Sequence, residues 1–126
     1  MNERYEKGTK QLLKYASKEQ VEQMHSNDQL ADIAPHLRKY IMEFAYGDIY
    51  SRGVLADRER QLIVIASLVT QGVEQQITTH IKRGLYIGLT VEEIVEAITQ
   101  LIPYIGFPKV QNALLTLQQI KNTNDF

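Results

Sequence analysis

Thr90 and Glu93 stand three residues apart at the head of a segment in which Val91, Ile94, Val95, Ile98, Leu101 and Ile102 recur at helical spacing. A hydroxyl and a carboxylate so placed satisfy the first free N–H groups of a helix, and apolar residues three and four apart form one face. That pattern, repeated along the chain, restricts the fold to packed helices. Ser17 and Gln20 form a second capping box, ahead of Val21 and Met24. Tyr5, Leu12, Leu13 and Ala16 predict an earlier helix that Gly8 weakens. After a polar stretch over residues 25–34, Pro35 suits the first turn of a helix carrying Leu37, Tyr40, Ile41, Phe44 and Ala45. This helix is expected to run on to Ser51, with Gly53 as its stop signal.

Asp57 opens the next helix. Its run of Leu62, Ile63, Val64, Ile65 and Ala66 is apolar on every side and marks a central helix, ended by Gly72. Five apolar residues also suit a buried strand, but the flanking residues extend the helical register. Residues 74–87 form another helix, with Ile77, Ile81 and Leu85 four apart and Gly88 as its stop. Pro103 and the stretch Tyr104, Ile105, Gly106, Phe107 break the Val91 helix. Pro108 then opens a last helix along Val110, Ala113, Leu114, Leu117 and Ile120, and residues 121–126 read as a frayed tail. The expectation is an all-α, single-domain helical bundle of about six to seven helices over residues 1–126, without repeats or linkers.

The chain has 126 residues, 44% of them hydrophobic, enough for a core. A domain of this size buries surface with only moderate efficiency, so association would help it. Fourteen basic and 15 acidic side chains leave a net charge of -1. That balance supplies no broad basic face, so neither a nucleic-acid nor a membrane partner is expected. The segment from Thr90 to Lys121 has a helix-turn-helix-like layout offering Lys109, Gln111 and Asn112, but few cations for phosphate contacts. No apolar run approaches the roughly 20 residues that cross a bilayer. The charged start, Met1 to Lys7, lacks an apolar signal core, so a cytoplasmic location is expected. Cysteine is absent, which removes disulfides, thiolate metal sites and cysteine nucleophiles together. The glycines form no phosphate-cradling loop. Asp32 and His36 are four apart but flank Pro35, and His25 has no partner at a ligand spacing, so no metal site is expected.

Few residues remain to carry chemistry. His80 lies between Ile77, Ile81 and Gly84, at an apolar boundary where an imidazole can give or take a proton near neutral pH. A hydrogen-bonded structural histidine fits the same place. Arg52 ends a helix, where its guanidinium can hold a carboxylate through two parallel hydrogen bonds or simply offset the helix dipole. Asp57, Arg58, Glu59 and Arg60 read as a solvated helix start, and Glu92, Glu93 and Glu96 as structural carboxylates. Tyr104 can place its hydroxyl in a pocket or pack with a wet tip.

The block from His80 to Thr90, His-Ile-Lys-Arg-Gly-Leu-Tyr-Ile-Gly-Leu-Thr, is followed by Glu93-Ile94-Val95-Glu96 and by Tyr104-Ile105-Gly106-Phe107-Pro108. An upstream block runs from Ala45 through Tyr46, Gly47, Tyr50 and Arg52 to Arg60, Gln61 and Leu62. In order and spacing these resemble the carboxymuconolactone decarboxylase family over about residues 35 to 118. The resemblance implies a fold shared with alkyl hydroperoxidase D-like proteins and assembly into trimers or hexamers. The family's peroxidase branch pairs two cysteines with a histidine and an upstream glutamate. Here Val73 and Gln76 occupy the cysteine positions and Gln61 the glutamate position, and only His80 remains. A dithiol cycle needs sulfur, so the resemblance points to the decarboxylase branch and away from a cysteine-dependent peroxidase.

That branch implies a small lactone or organic acid bearing carboxylates as substrate. Loss of carbon dioxide leaves an electron-rich, dienolate-like system that must be stabilised and protonated. The resemblance casts His80 as proton carrier, Arg52 as carboxylate holder, and Tyr104 and Gln61 as pocket lining. No metal or organic cofactor is implied, because the lactone carbonyl can accept electron density. The alternative is a non-enzymatic small-molecule binding or assembly protein that keeps the fold, since one fold hosts several chemistries.

Overall fold

The computed structural model describes residues 2–123, and every regular element among them is helical. The chain forms two compact units, Met1–Leu55 and Ala56–Phe126. In the first, α1 spans Glu3–Leu12, α2 Lys18–Ser26 and α3 Pro35–Tyr40, which continues as a π-helical segment over Ile41–Tyr50. The second holds α4 (Asp57–Gln71), α5 (Glu74–Tyr86), α6 (Val91–Thr99), the single turn α7 (Ile102–Ile105) and α8 (Phe107–Thr123). Counting α3 with its continuation, seven helices among the described residues exceed one turn, as the periodicity predicts.

Both predicted capping boxes form. Gln20 N–H donates to Ser17 Oγ at 3.1 Å, and Ser17 N–H to Gln20 Oε1 at 2.9 Å. Glu93 N–H donates to Thr90 Oγ1 at 3.0 Å, and Thr90 N–H to Glu93 Oε1 at 2.9 Å. Pro35 occupies the first turn of α3, and Gly72 closes α4 with φ 74°, the left-handed conformation glycine adopts without a Cβ penalty.

In the first unit, Leu12, Ala16, Val21, Met42 and Tyr46 make the core. Gly8 is no weak point there. A Cβ on it would fall 1.9 Å from the Met42 carbonyl oxygen, and one on Gly47 would fall 2.7 Å from that of Arg4. The two glycines let α1 and the π-helical segment approach backbone to backbone. The continuation of α3 ends at Tyr50 with Ser51 as its cap, the end expected from the sequence. Gly53 has open space around it, and its conformation terminates nothing.

In the second unit, Ile65 and Val69 of α4 meet Ile77 and Ile81 of α5, Ile94 and Ile98 of α6, and Val110, Ala113, Leu117 and Ile120 of α8. α4 packs against α5, α6 and α8, which makes it the central helix of this unit. It is not buried all round, however: Ile63 is 57% exposed. Lys109 of α8 donates to the Thr70 carbonyl at 2.7 Å, satisfying a free acceptor at the end of α4. α8 runs to Thr123, so residues 121–123 are helical and not frayed; residues 124–126 lie outside the described residues. No described helix is long and apolar enough to cross a membrane.

Candidate active site

Gln61, Ile65 and Val69 stand four apart on α4 and form its buried stripe. The stripe is apolar for two turns and polar at its N-terminal end. α5 has the same character, with His80 set among Ile77, Ile81 and Gly84 on its buried side. The packing of α4 on α5 brings the two polar exceptions together: His80 Nδ1 lies 3.2 Å from Gln61 Oε1. Gln61 is 0% exposed and His80 8%. Buried polar groups are expected to be hydrogen-bonded, and each helps to satisfy the other.

Burial holds the pKa of His80 down to about 4, and the positive charge of Arg83 adds to the effect. Desolvation penalises imidazolium, and a nearby cation penalises it further. At neutral pH His80 is therefore an uncharged imidazole. Arg83, itself buried, is a residue for which sequence reasoning had assigned no role. The available signal was its position three residues after His80, which puts the two side chains side by side on one helix.

The remaining predicted residues stand on other elements. Tyr104 is the third residue of α7 and 83% exposed, so its ring encloses nothing within its own unit. Arg52 belongs to the first unit, where it follows Ser51 at the end of the π-helical segment and is exposed. Its backbone N–H donates to the Ile49 carbonyl at 3.1 Å, in the C-terminal setting where a cation offsets the helix dipole. Val73 and Gln76, at the junction and first turn of α5, are exposed. Arg58 and Glu93 form an ion pair, the structural use expected of those charges. A cleft of about 470 Å³ runs along α8 between Ile102, Phe107, Leu114 and Leu115. Its lining includes neither His80 nor Gln61.

Residues 35–119 match the profile of the carboxymuconolactone decarboxylase family. The chain belongs to this family. The matched span contains Arg52, Gln61, His80 and Tyr104. Among curated relatives, the 4-carboxymuconolactone decarboxylase of Acinetobacter baylyi is 28% identical over 95 residues, covering 75% of this chain and 71% of that protein. An uncharacterized 15.0 kDa protein of Paracoccus denitrificans is 28% identical over 95 residues, covering 74% and 71%. The nitrosuccinic acid decarboxylase of Metarhizium robertsii is 26% identical over 85 residues, covering 68% of this chain and 59% of that protein. Two of these three family relatives are thus named as decarboxylases, with different substrates, so membership leaves the substrate open.

Proposed function

We propose that this protein is a cofactor-free decarboxylase acting on a small carboxylated lactone or a related organic acid, with His80 as the proton carrier. The observation that carries this reading is the buried, uncharged imidazole of His80, with Gln61 on one ring nitrogen and the charge of Arg83 beside it. The field that disfavours imidazolium at His80 attracts a carboxylate. A bound carboxylate offsets Arg83 and allows the ring to take up a proton. Decarboxylation needs that proton, because the electron pair left on carbon must be quenched.

In this reading Arg52 is a candidate carboxylate holder through its planar fork, and Tyr104 is a candidate pocket wall. An exposed Tyr104 lines a pocket only if a further surface covers it, which favours a site completed by self-association. Ile63, Phe107 and Leu115 leave apolar surface uncovered, which self-association would bury. The names of the relatives support decarboxylation and suggest two acids to try first.

The test is carbon dioxide release by the purified protein from 4-carboxymuconolactone and from nitrosuccinic acid. Turnover is expected, with at least a hundredfold loss in His80→Ala. Full activity in that variant removes His80 from the chemistry. Thermal stabilisation by such acids without any turnover would replace the enzyme reading with that of a binding protein.

A further inference from the structure

We propose that Gln61 is a positioning residue that fixes His80 as the Nδ1–H tautomer, so that Nε2 is the atom that takes and returns the proton. This deepens the decarboxylase reading and rests on it only for the reaction that follows.

The oxygen of a primary amide carries lone pairs and no hydrogen, so a bond to Gln61 Oε1 needs a hydrogen from His80 Nδ1. A neutral imidazole has a single N–H. Once Nδ1 holds it, Nε2 carries the lone pair. Gln61 is fully buried on the stripe it shares with Ile65 and Val69, so its amide cannot exchange this partner for bulk water. The opposite tautomer would set the Nδ1 lone pair against the lone pairs of Gln61 Oε1, a repulsive contact in a buried place. Free histidine prefers the opposite tautomer only slightly, so the buried contact prevails.

A glutamate at position 61 would accept the same hydrogen but would also stabilise imidazolium. The amide orients the ring without charging it. With burial and Arg83 acting in the same direction, the resting site presents a lone pair at Nε2 and no proton there. The proton must therefore be taken up as the substrate binds. A substrate carboxylate enters, and Nε2 takes one proton from solvent. The carbon–carboxylate bond breaks, carbon dioxide leaves, and the electron pair stays on carbon. That carbon takes the proton from Nε2, which returns to its lone-pair form. One carboxylate and one proton give carbon dioxide and a C–H bond.

The experiment is a long-range proton–nitrogen correlation spectrum of the 15N-histidine-labelled, ligand-free chain at neutral pH. His80 is assigned among the three histidines by its loss in His80→Gln. A pyrrole-type Nδ1 and a pyridine-type Nε2 are expected. Gln61→Met, similar in size but without the acceptor, should shift the ring toward the Nε2–H form, and Gln61→Glu should keep Nδ1–H. A pyridine-type Nδ1 in the unmodified chain overturns the proposal even if neither variant folds. So does an unchanged Nδ1–H signature in a folded Gln61→Met. The measurement needs no turnover. An inactive protein with the expected spectrum would remove the decarboxylase reading alone, and an active one with the reversed spectrum would remove this assignment alone.

Discussion

Arg83 follows His80 by three residues on α5, and both side chains are buried, so a permanent cation and a titratable ring share one helix face. The consequence is a stability that depends on pH. The pKa of His80 is about 4 in the folded chain against an ordinary 6.5. Between those values the unfolded chain binds a proton that the folded chain refuses, so folding stability rises with pH across the window. As pH falls from about 6.5 to 4, His80 should remove about 3 kcal/mol. Urea unfolding of the unmodified chain and of His80→Gln at pH 7 and pH 4 measures this as the difference between the two proteins. Parallel pH dependence in both would mean that His80 titrates normally and is not held neutral.

Gln61→Glu tests the same pair from the other helix. A carboxylate 3.2 Å from the ring should raise the His80 pKa by about 1–3 and shrink the acid-side loss described above. An NMR titration of the His80 ring reads the value directly. An unmoved pKa would show that the side chain at position 61 does not touch it.

Gly8 is expected to be intolerant of any side chain. The Met42 oxygen lies 1.9 Å from where a Cβ would sit, and it is backbone that cannot step aside. Gly8→Ala should cost about 1–3 kcal/mol or more through forced separation of α1 from the π-helical segment. Gly53→Ala, in open space, should stay within about 0.5 kcal/mol. Equal melting temperatures for the two variants would contradict the close approach.

Self-association predicts a particle mass that is a multiple of the 14.5 kDa chain in sedimentation at micromolar concentration. Ile63 and Phe107, 57% and 70% exposed, are the apolar side chains to charge. Ile63→Asp or Phe107→Asp should shift the population toward smaller species while helicity by circular dichroism is retained. A stable single-chain mass for the unmodified protein would end the proposal of a site completed between subunits.

Much of this protein was fixed by local pattern. Ser17 with Gln20, Thr90 with Glu93, Pro35 and Gly72 each act within one turn of backbone, so their roles are legible wherever the rest of the chain goes. The stripe from Ile94 to Ile98 is equally local, since helical geometry alone puts these residues on one face. The blocks around His80 and Tyr104 were enough to indicate the family, because order and spacing survive when identity has fallen to 28%.

What the tertiary structure alone decided concerns pairs far apart in sequence. Gly8 looked like a defect in a helix until the Met42 carbonyl arrived 34 residues later to occupy the space. The same approach accompanies the π-helical register of Ile41–Tyr50, for which the residues give no sign. Gln61 was legible only as a pocket-lining position implied by the family resemblance, and Arg83 carried no assignment. Their burial, and the contact of Gln61 with His80, exist because α4 packs on α5 and withdraws water from them. Helix propensity and capping are settled within a turn. Desolvation, and with it the charge state of His80, depends on which distant residues replace the solvent.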